Sequence, residues 1–232
     1  GKFARALALA QALPRARVTA DLRREALDRD HALAVSFRLL DEAAPRVGSA
    51  RYLERHGSRG LTTLRRGDAT VEASVVTLSF PAKSGKRALL EIDDDDLADA
   101  LRVLTAGSPR SPLLWHAVGR RQVGLSPAEV NAYVRTITGG AFTAKDFRTL
   151  RGTILAADAL ARTGAVEGTR ARKRAEIDAV RAVAQALGNT PSVARGSYID
   201  PRVFACFARG QLLERQLTPE SAIRRLLLGD DK

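Results

Sequence analysis

The sequence predicts a predominantly α-helical α+β fold with one small antiparallel sheet inserted near residues 69–92. Apolar residues recur at the three- and four-residue spacing of helices over most of the 232-residue chain. Between Gly60 and Ile92 the pattern changes to short alternating or β-branched runs separated by turn residues. Such runs are typical of antiparallel strands, so the sheet is expected in the first third of a helical chain.

Prolines and acidic residues mark the ends of the predicted elements in the first half. Pro14 and Pro45 each end a helical pattern, and the acids at 93–96 complement the dipole at a helix start. The turn at 81–86 places two lysines at a hairpin tip, where a solvated loop and a functional loop are both possible. The predicted elements are a helix at 2–13, one or two helices over 21–44, a helix at 49–55, strands at 69–73, 75–80 and 86–92, a helix at 94–104, and a loop at 107–112.

The second half is predicted to be helical throughout. Ser126-Pro127-Ala128-Glu129 combines a helix cap, a first-turn proline and a capping box. Trp115 and His116 are interpreted as packing residues in a short link. The basic run at 170–174 is either a patch that contacts phosphates or a solvated helix start. The predicted helices run over 127–138, 143–162, 169–187, 202–209 and 218–228.

The charge of the chain indicates a polyanionic partner. The net charge is +12 and the isoelectric point about 10.9, which favours nucleic acid or an acidic membrane surface. Most basic residues are arginines, which are expected either for phosphate contacts or from a GC-rich genome, and composition does not separate the two. Cys206 is the single cysteine, so no intramolecular disulfide can form and a reducing compartment is expected. The scattered histidines form no metal-ligand cluster, and no apolar run approaches the roughly 20 residues of a membrane span.

The chain contains no methionine, so we expect a processed or truncated piece of a longer protein. Residues 1–13 weakly resemble a signal peptide. Arg5 and Gln11 interrupt that pattern, which fits a helix face better.

The stretch at residues 188–201 contains one of only three tyrosines in the chain. Thr190 and Pro191 predict the start of a short helix, which Gly196 is expected to break before Tyr198. A tyrosine near a helix end is a nucleophile when its neighbours stabilise the phenolate and the group it attacks. Taken alone, the pattern favours a half-buried ring with a hydrated hydroxyl.

Five segments change that interpretation because they occur together and in order. They are Arg46-Val47-Gly48, Gly60-Leu61-Thr62-Thr63-Leu64-Arg65-Arg66, Phe80-Pro81-Ala82-Lys83, Lys145-Asp146-Phe147-Arg148-Thr149, and Gly188-Asn189-Thr190-Pro191-Ser192 through Ser197-Tyr198-Ile199. In order and spacing, the chain resembles the catalytic domain of type IB DNA topoisomerases, specifically the compact bacterial and poxviral branch. The resemblance covers nearly the whole chain and implies the fold that these enzymes share with tyrosine recombinases.

The resemblance implies a set of catalytic roles. Tyr198 matches the tyrosine that attacks a DNA phosphodiester and holds the 3′-phosphate. Arg46 and Arg148 match the two active-site arginines, and Lys83 matches the general acid toward the leaving 5′-oxygen. Asn189 stands where poxviral and eukaryotic members carry histidine and where bacterial relatives often carry asparagine.

The chemistry of these residue types suits that reaction. Attack on a phosphodiester places additional negative charge on the non-bridging oxygens, and two permanently charged guanidiniums stabilise this charge without a metal. An asparagine adds a neutral hydrogen bond without transferring a proton. The leaving alkoxide requires a proton, which a lysine can donate. Further contacts with the DNA backbone are expected from Thr62, Thr63, Arg65, Arg66, Lys145 and Arg195.

The resemblance implies an isomerase that relaxes supercoiled double-stranded DNA without ATP, metal or any other cofactor. Residues 1–232 are expected to be the catalytic domain, with the N-terminal DNA-clamp domain of relatives absent from this chain. A monomer in the bacterial cytoplasm, associated with the nucleoid and not with a membrane, is expected.

Three residues depart from the pattern of the relatives. Leu150 replaces a frequent aromatic residue, Asp200 replaces a histidine common in bacterial relatives, and Pro45 directly precedes Arg46. An acid two residues after the nucleophile is expected to weaken the affinity for phosphate.

Two alternative functions are considered. A tyrosine recombinase would use the same chemistry, but recombinases usually carry His-x-x-Arg where this chain has Lys145-Asp146-Phe147-Arg148, and they lack the segment at 60–66. A basic DNA-binding module without catalysis would tolerate loss of Arg46, Lys83 or Tyr198, and all three are present.

Overall fold

The computed structural model describes residues 1–229, apart from the side chain of Ser84. The chain forms two compact units. The central unit comprises residues 14–145, and the terminal unit combines residues 1–13 with the chain from residue 146 onward. Helices dominate both, and the small sheets are antiparallel, which confirms the predicted helix-rich α+β class. Within the described residues, no helix is both long and apolar enough to cross a membrane.

The helices of the central unit surround an apolar core, and those of the terminal unit form a second one. In chain order they are α1 (Lys2–Ala12), α2 (Arg15–Leu22), α3 (Arg29–Ala43), α4 (Ala50–His56), α5 (Asp95–Leu104), α6 (Pro127–Thr138), α7 (Ala144–Thr163), α8 (Thr169–Leu187), α9 (Pro191–Ser197), α10 (Arg202–Ala208) and α11 (Pro219–Leu228).

The predicted three-stranded sheet lies in the central unit. Strands β1 (Ala69–Glu72), β2 (Val75–Pro81) and β3 (Arg87–Asp93) pair antiparallel in that order. Thr77 lies opposite Thr70 on one side of β2 and opposite Glu91 on the other.

A second hairpin was not predicted. Strands β4 (Trp115–Val118) and β5 (Arg121–Gly124) pair antiparallel around a two-residue turn that contains Gly119 at φ +60°. Trp115 and His116, expected in a short link, therefore begin a strand, although both are buried as predicted. The two strands have only four residues each, too few for a clear alternating pattern.

The first predicted helix pair has different limits from those expected. The region 21–44, predicted as one or two helices, contains two, and the first of them, α2, already begins at Arg15. The Asp28 side chain caps α3 by accepting a hydrogen bond from the backbone of His31 at 2.9 Å. Residues 31–40 of α3 are all buried, so the helix shows only a weak polar face in the sequence.

Caps explain the predicted helix starts that the structure confirms. Ser126 and Glu129 form the expected capping box, with Ser126 N donating to Glu129 Oε2 at 2.9 Å and Glu129 N to Ser126 Oγ at 3.2 Å. Thr190 caps α9 by accepting from the backbone of Val193 at 3.3 Å. The expected break at Gly196 is wrong, because Gly196 is helical and α9 continues to Ser197.

Candidate active site

The candidate nucleophile lies at the end of α9 in the terminal unit. Tyr198 is the C-terminal cap of this helix, and its backbone N–H donates to Ala194 O at 3.0 Å. The residue is only 9% exposed, which makes it more buried than the half-buried ring that the local pattern favours. Because the ring is buried, the elements that pack against α9 determine the position of the Tyr198 ring and hydroxyl.

Arg148 contacts Tyr198 directly. Its guanidinium carbon lies 4.9 Å from the centroid of the Tyr198 ring, a cation–π distance. Nη2 donates a 2.7 Å hydrogen bond to Leu187 O at the end of α8. Arg148 is buried on α7, so this one side chain joins α7, the carbonyl end of α8 and the tyrosine ring.

Asn189 lies at the same end of α8. Gly188 ends the helix in the left-handed conformation at φ +62°, and Asn189 N donates to Ala184 O at 2.8 Å. This arrangement is a Schellman motif, which needs a residue that tolerates positive φ at Gly188. Asn189 is therefore held two residues beyond the carbonyl that Arg148 contacts, with its side chain buried.

Two residues of α7 that the sequence interpretation missed fix the tyrosine backbone. Thr153 Oγ1 lies 3.3 Å from Tyr198 O and accepts a hydrogen bond from Asp200 N at 3.1 Å, while it donates to Thr149 O at 2.8 Å. A Cβ on Gly152 would lie 2.6 Å from Tyr198 O. A glycine inside a strong helix pattern indicates such a close backbone approach, so Gly152 was recognisable in the sequence.

Asp200 is buried, and its carboxylate forms an ion pair with Arg202. The carboxylate accepts from Arg202 N at 2.9 Å and from Arg202 Nη2 at 2.6 Å. The backbone hydrogen bond is the short turn that an aspartate makes with the residue two positions later, here at the start of α10. Asp200 also raises the pKa of the Arg202 guanidinium through this side-chain hydrogen bond.

In the central unit, the segment with Arg46 pairs with the segment that begins at Gly60. Arg46 O accepts from Leu61 N at 2.7 Å, and Val47 O accepts from Thr62 N at 2.9 Å. A Cβ on Gly60 would lie 2.6 Å from both Arg46 O and the Cα of Gly48. Two of the five predicted segments therefore touch backbone to backbone, and glycine at both positions makes the approach possible.

Lys83 is exposed between β2 and β3, at the start of a short 3-10 helix (Lys83–Gly85). The base of this tip is fixed by a 2.7 Å hydrogen bond from Ala82 N to Lys86 O. Arg59 N donates to Pro81 O at 2.7 Å, which connects the hairpin with the residues that precede Gly60. Arg46 and Lys83 thus both neighbour the segment at 59–62.

Comparison with known proteins agrees with these motifs. Residues 1–203 match the family described as "Eukaryotic DNA topoisomerase I, catalytic core". The chain belongs to this topoisomerase I catalytic-core family. The matched range contains every site residue predicted from the sequence, and the predicted resemblance to a type IB topoisomerase catalytic domain is confirmed.

A viral protein is similar to this chain over most of its length. The chain is 24% identical over 181 residues to the protein named DNA topoisomerase 1B of Acanthamoeba polyphaga mimivirus. The alignment covers 74% of this chain and 53% of the relative. The chain therefore spans about half of the length of the curated relative that it matches.

The residues predicted to contact DNA differ in their surroundings within this topoisomerase I core. Thr62 Oγ1 donates to Val47 O at 3.0 Å, and Thr63 Oγ1 accepts from Gly60 N at 2.9 Å, so both hydroxyls shape the loop that presents them. Arg65 is partly exposed, and its backbone donates to Asp68 Oδ2 at 2.8 Å. Lys145 is exposed in the first turn of α7.

Arg66 has the surroundings of a structural residue. It is buried, and its guanidinium donates to Pro112 O at 3.3 Å, to Gln122 Oε1 at 2.6 Å and to Ala106 O. The Trp115 ring centroid lies 5.0 Å from its Cζ. These contacts hold the β4–β5 hairpin and the loop before it. Nε, Nη1 and Nη2 of Arg66 all donate to protein acceptors, so few N–H groups remain to bind DNA.

Arg195 also has protein partners. Its guanidinium pairs with Glu176 of α8 at 3.0 Å and lies 4.4 Å from the Phe204 ring centroid. About half of the side chain is exposed, at 49%, so the remaining surface is available to a ligand.

Proposed function

We propose that the chain relaxes supercoiled DNA by cleaving one strand and rejoining it, through a covalent bond between Tyr198 and the 3′-phosphate. The observation that supports this most is the contact of the Arg148 guanidinium with the Tyr198 ring, 4.9 Å away, at the helix end that also carries Asn189. A buried tyrosine beside a fixed guanidinium and a buried amide provides a nucleophile next to two groups that stabilise a phosphate.

In the proposed reaction, the Tyr198 oxygen attacks phosphorus as its proton leaves to water. The bond from phosphorus to the 5′-oxygen breaks, and Lys83 donates a proton to that oxygen. Arg46 and Arg148 stabilise the charge on the non-bridging oxygens, and Asn189 adds a neutral hydrogen bond. The phosphotyrosine bond conserves the energy of the broken linkage, so the 5′-hydroxyl reverses the reaction without ATP.

We further propose that residues 1–232 act as the catalytic domain of the compact bacterial and poxviral branch, with the core arrangement shared with tyrosine recombinases. Asn189 and Lys145 at their positions support that branch. We also propose a monomer that acts on the double-stranded DNA of the nucleoid in the bacterial cytoplasm. Arg65, Lys145 and the exposed part of Arg195 are the proposed contacts with the DNA backbone.

The test uses supercoiled plasmid in buffer with EDTA and without ATP. The proposal expects stepwise relaxation at low salt, and activity that falls steeply as salt is added, because phosphate contacts dominate such interfaces. A failure to relax plasmid at any protein concentration would contradict it. Exchange of strands between two duplexes, without relaxation, would instead support a recombinase.

A nicked duplex that loses the short strand carrying the new 5′-hydroxyl traps the intermediate, because rejoining then has no acceptor. We expect a covalent adduct with the unmodified chain and none with Tyr198→Phe, which keeps the ring but not the hydroxyl. Capture by Tyr198→Phe would refute the assignment of the nucleophile. Tyr52→Phe is the matched control, since Tyr52 packs on the ring of His56 in α4.

A further inference from the structure

Asp200 is attached to two different elements of the terminal unit. Its backbone N–H donates to Thr153 Oγ1 on α7 at 3.1 Å, and its carboxylate is bound by Arg202 at the start of α10. Thr153 Oγ1 also lies 3.3 Å from Tyr198 O. The three residues from Tyr198 to Asp200 are therefore held against α7 through one hydroxyl, and Ile199 between them is fully buried.

The carboxylate itself is almost inaccessible to water. The Asp200 side chain is 3% exposed, whereas that of Arg202 is 44% exposed. Arg202 Nε lies 3.1 Å from each carboxylate oxygen, and Nη2 lies 2.6 Å from Oδ2. The guanidinium is thus the charged partner that permits a carboxylate to stay buried two residues from the tyrosine.

The two members of this pair are not equivalent when one is removed. A buried carboxylate that loses its partner keeps its charge without compensation and moves toward water, which is far more disruptive than neutralising both members. The same charge would also oppose negative charge that develops on an adjacent phosphate. An Arg202 that loses Asp200, by contrast, is already half exposed and becomes hydrated.

We propose that Arg202 is a positioning residue for the nucleophile, acting through Asp200. By neutralising Asp200, it keeps the Asp200 N–H on Thr153 and thereby fixes the backbone of Tyr198. The proposal rests on the proposed strand-cleavage function. It also explains the acid that was expected to weaken the affinity for phosphate: Asp200 anchors the backbone, and Arg202 compensates its negative charge.

The test compares Arg202→Gln, Asp200→Asn and the double variant. The measurements are the single-turnover cleavage rate at saturating nicked duplex, the affinity for uncleaved duplex in a Tyr198→Phe background, and the melting temperature. We expect Arg202→Gln to cleave at least about 10-fold more slowly, because a small misplacement of a nucleophile is costly. Asp200→Asn should stay close to the unmodified chain, and adding it to Arg202→Gln should restore most of the rate.

Arg209→Gln is the matched control, because it removes one positive charge beyond the other end of the same helix, α10. It should leave the cleavage rate unchanged. If Arg202 contacted phosphate directly, Arg202→Gln would weaken binding more than cleavage at saturation, and Asp200→Asn would not rescue it. That result overturns the proposal, as does a rate for Arg202→Gln equal to that of Arg209→Gln.

Hydrogen exchange separates this proposal from the function on which it rests. Amides at residues 198–200 should exchange about 10-fold faster in Arg202→Gln than in the unmodified chain, and slow again in the double variant, since exchange reports local opening. This measurement needs no DNA and no activity. Absence of any covalent adduct with the unmodified chain would refute strand cleavage, whereas unchanged exchange in Arg202→Gln would refute the anchor.

Discussion

A methyl group on Gly152 would lie 2.6 Å from the carbonyl oxygen of Tyr198 and 3.1 Å from its Cβ. The backbone of α7 therefore touches the backbone of the candidate nucleophile directly. Arg148 is one helical turn earlier on α7, so the same helix sets the position of the tyrosine and of the guanidinium beside it. The distance between these two groups depends on a glycine that takes no part in the chemistry.

Gly152→Ala should displace Tyr198 and slow cleavage. In a helix interior, alanine is favoured over glycine by about 1 kcal/mol, but overpacking a buried contact costs roughly 1–3 kcal/mol. We expect a lower melting temperature and a single-turnover cleavage rate lower by roughly 100-fold. Gly196→Ala is the control, because it lies in α9 with no atom near its added Cβ. Equal rates for the two variants would show that the close approach does not position the tyrosine.

Arg148→Lys should retain the positive charge and still lose most of the cleavage rate. A lysine cannot contact Leu187 O and a phosphate through one planar fork. Removing one preorganised donor to a developing oxyanion costs roughly 100- to 1,000-fold, and a similar loss is expected here in single-turnover cleavage of the nicked duplex. Arg162→Lys, an exposed change on the same helix, should leave the rate intact. A normal rate for Arg148→Lys would exclude a bidentate role.

Arg65→Gln and Arg66→Gln should affect different properties, DNA binding and stability respectively, although the two residues are adjacent. Removing the buried Arg66 guanidinium leaves the carbonyls of Pro112 and Ala106 without this donor, which we expect to cost roughly 3 kcal/mol of unfolding free energy. Arg65→Gln should leave stability unchanged. It should reduce the slope of log affinity against log salt by about 1, as loss of one phosphate contact does. Urea unfolding and DNA binding at several salt concentrations measure both, and an unchanged salt slope for Arg65→Gln would remove it from the DNA contacts.

The stability of the central unit should depend on the titration of His31. Burial lowers the pKa of His31 below its ordinary value, partly opposed by the negative charge of Asp28. As pH falls below about 6.5, the unfolded chain binds a proton that the folded chain does not, so the unfolding free energy decreases until the folded pKa is reached. The loss of unfolding free energy between pH 7.5 and 5.5, measured in urea, should be smaller in His31→Gln than in the unmodified chain. The same pH dependence in both proteins would contradict this account.

Elements bounded by local hydrogen bonds were predictable from the sequence. The capping box of Ser126 and Glu129 and the cap at Thr190 involve residues within three positions of each other, so the pattern itself encodes them. The β4–β5 hairpin was not predictable, because its anchors are distant in sequence. Gln122 in β5 is bound by Arg66, 56 residues earlier.

Candidate site residues follow the same division. Tyr198, Arg148 and Asn189 were predicted as site residues from the motifs, and the structure places them at the ends of α8 and α9 and on the facing helix α7. The role of Thr153 and the burial of Asp200 in an ion pair with Arg202 were not predicted. The bond between them joins residues 47 positions apart, and nothing in either neighbourhood indicates it.

The sequence by itself determined the helix-rich α+β class, the family, and the chemical types of the proposed site: a tyrosine, two arginines, a lysine and an amide in a fixed order. These follow from local periodicity, helix caps and motif spacing, which involve neighbouring residues. Only the tertiary structure decided that Arg66 is buried while Arg65 is partly exposed, and that Asp200 is neutralised by Arg202. Burial and pairing depend on which distant elements pack together, and the free energy of a charged group changes most with that environment.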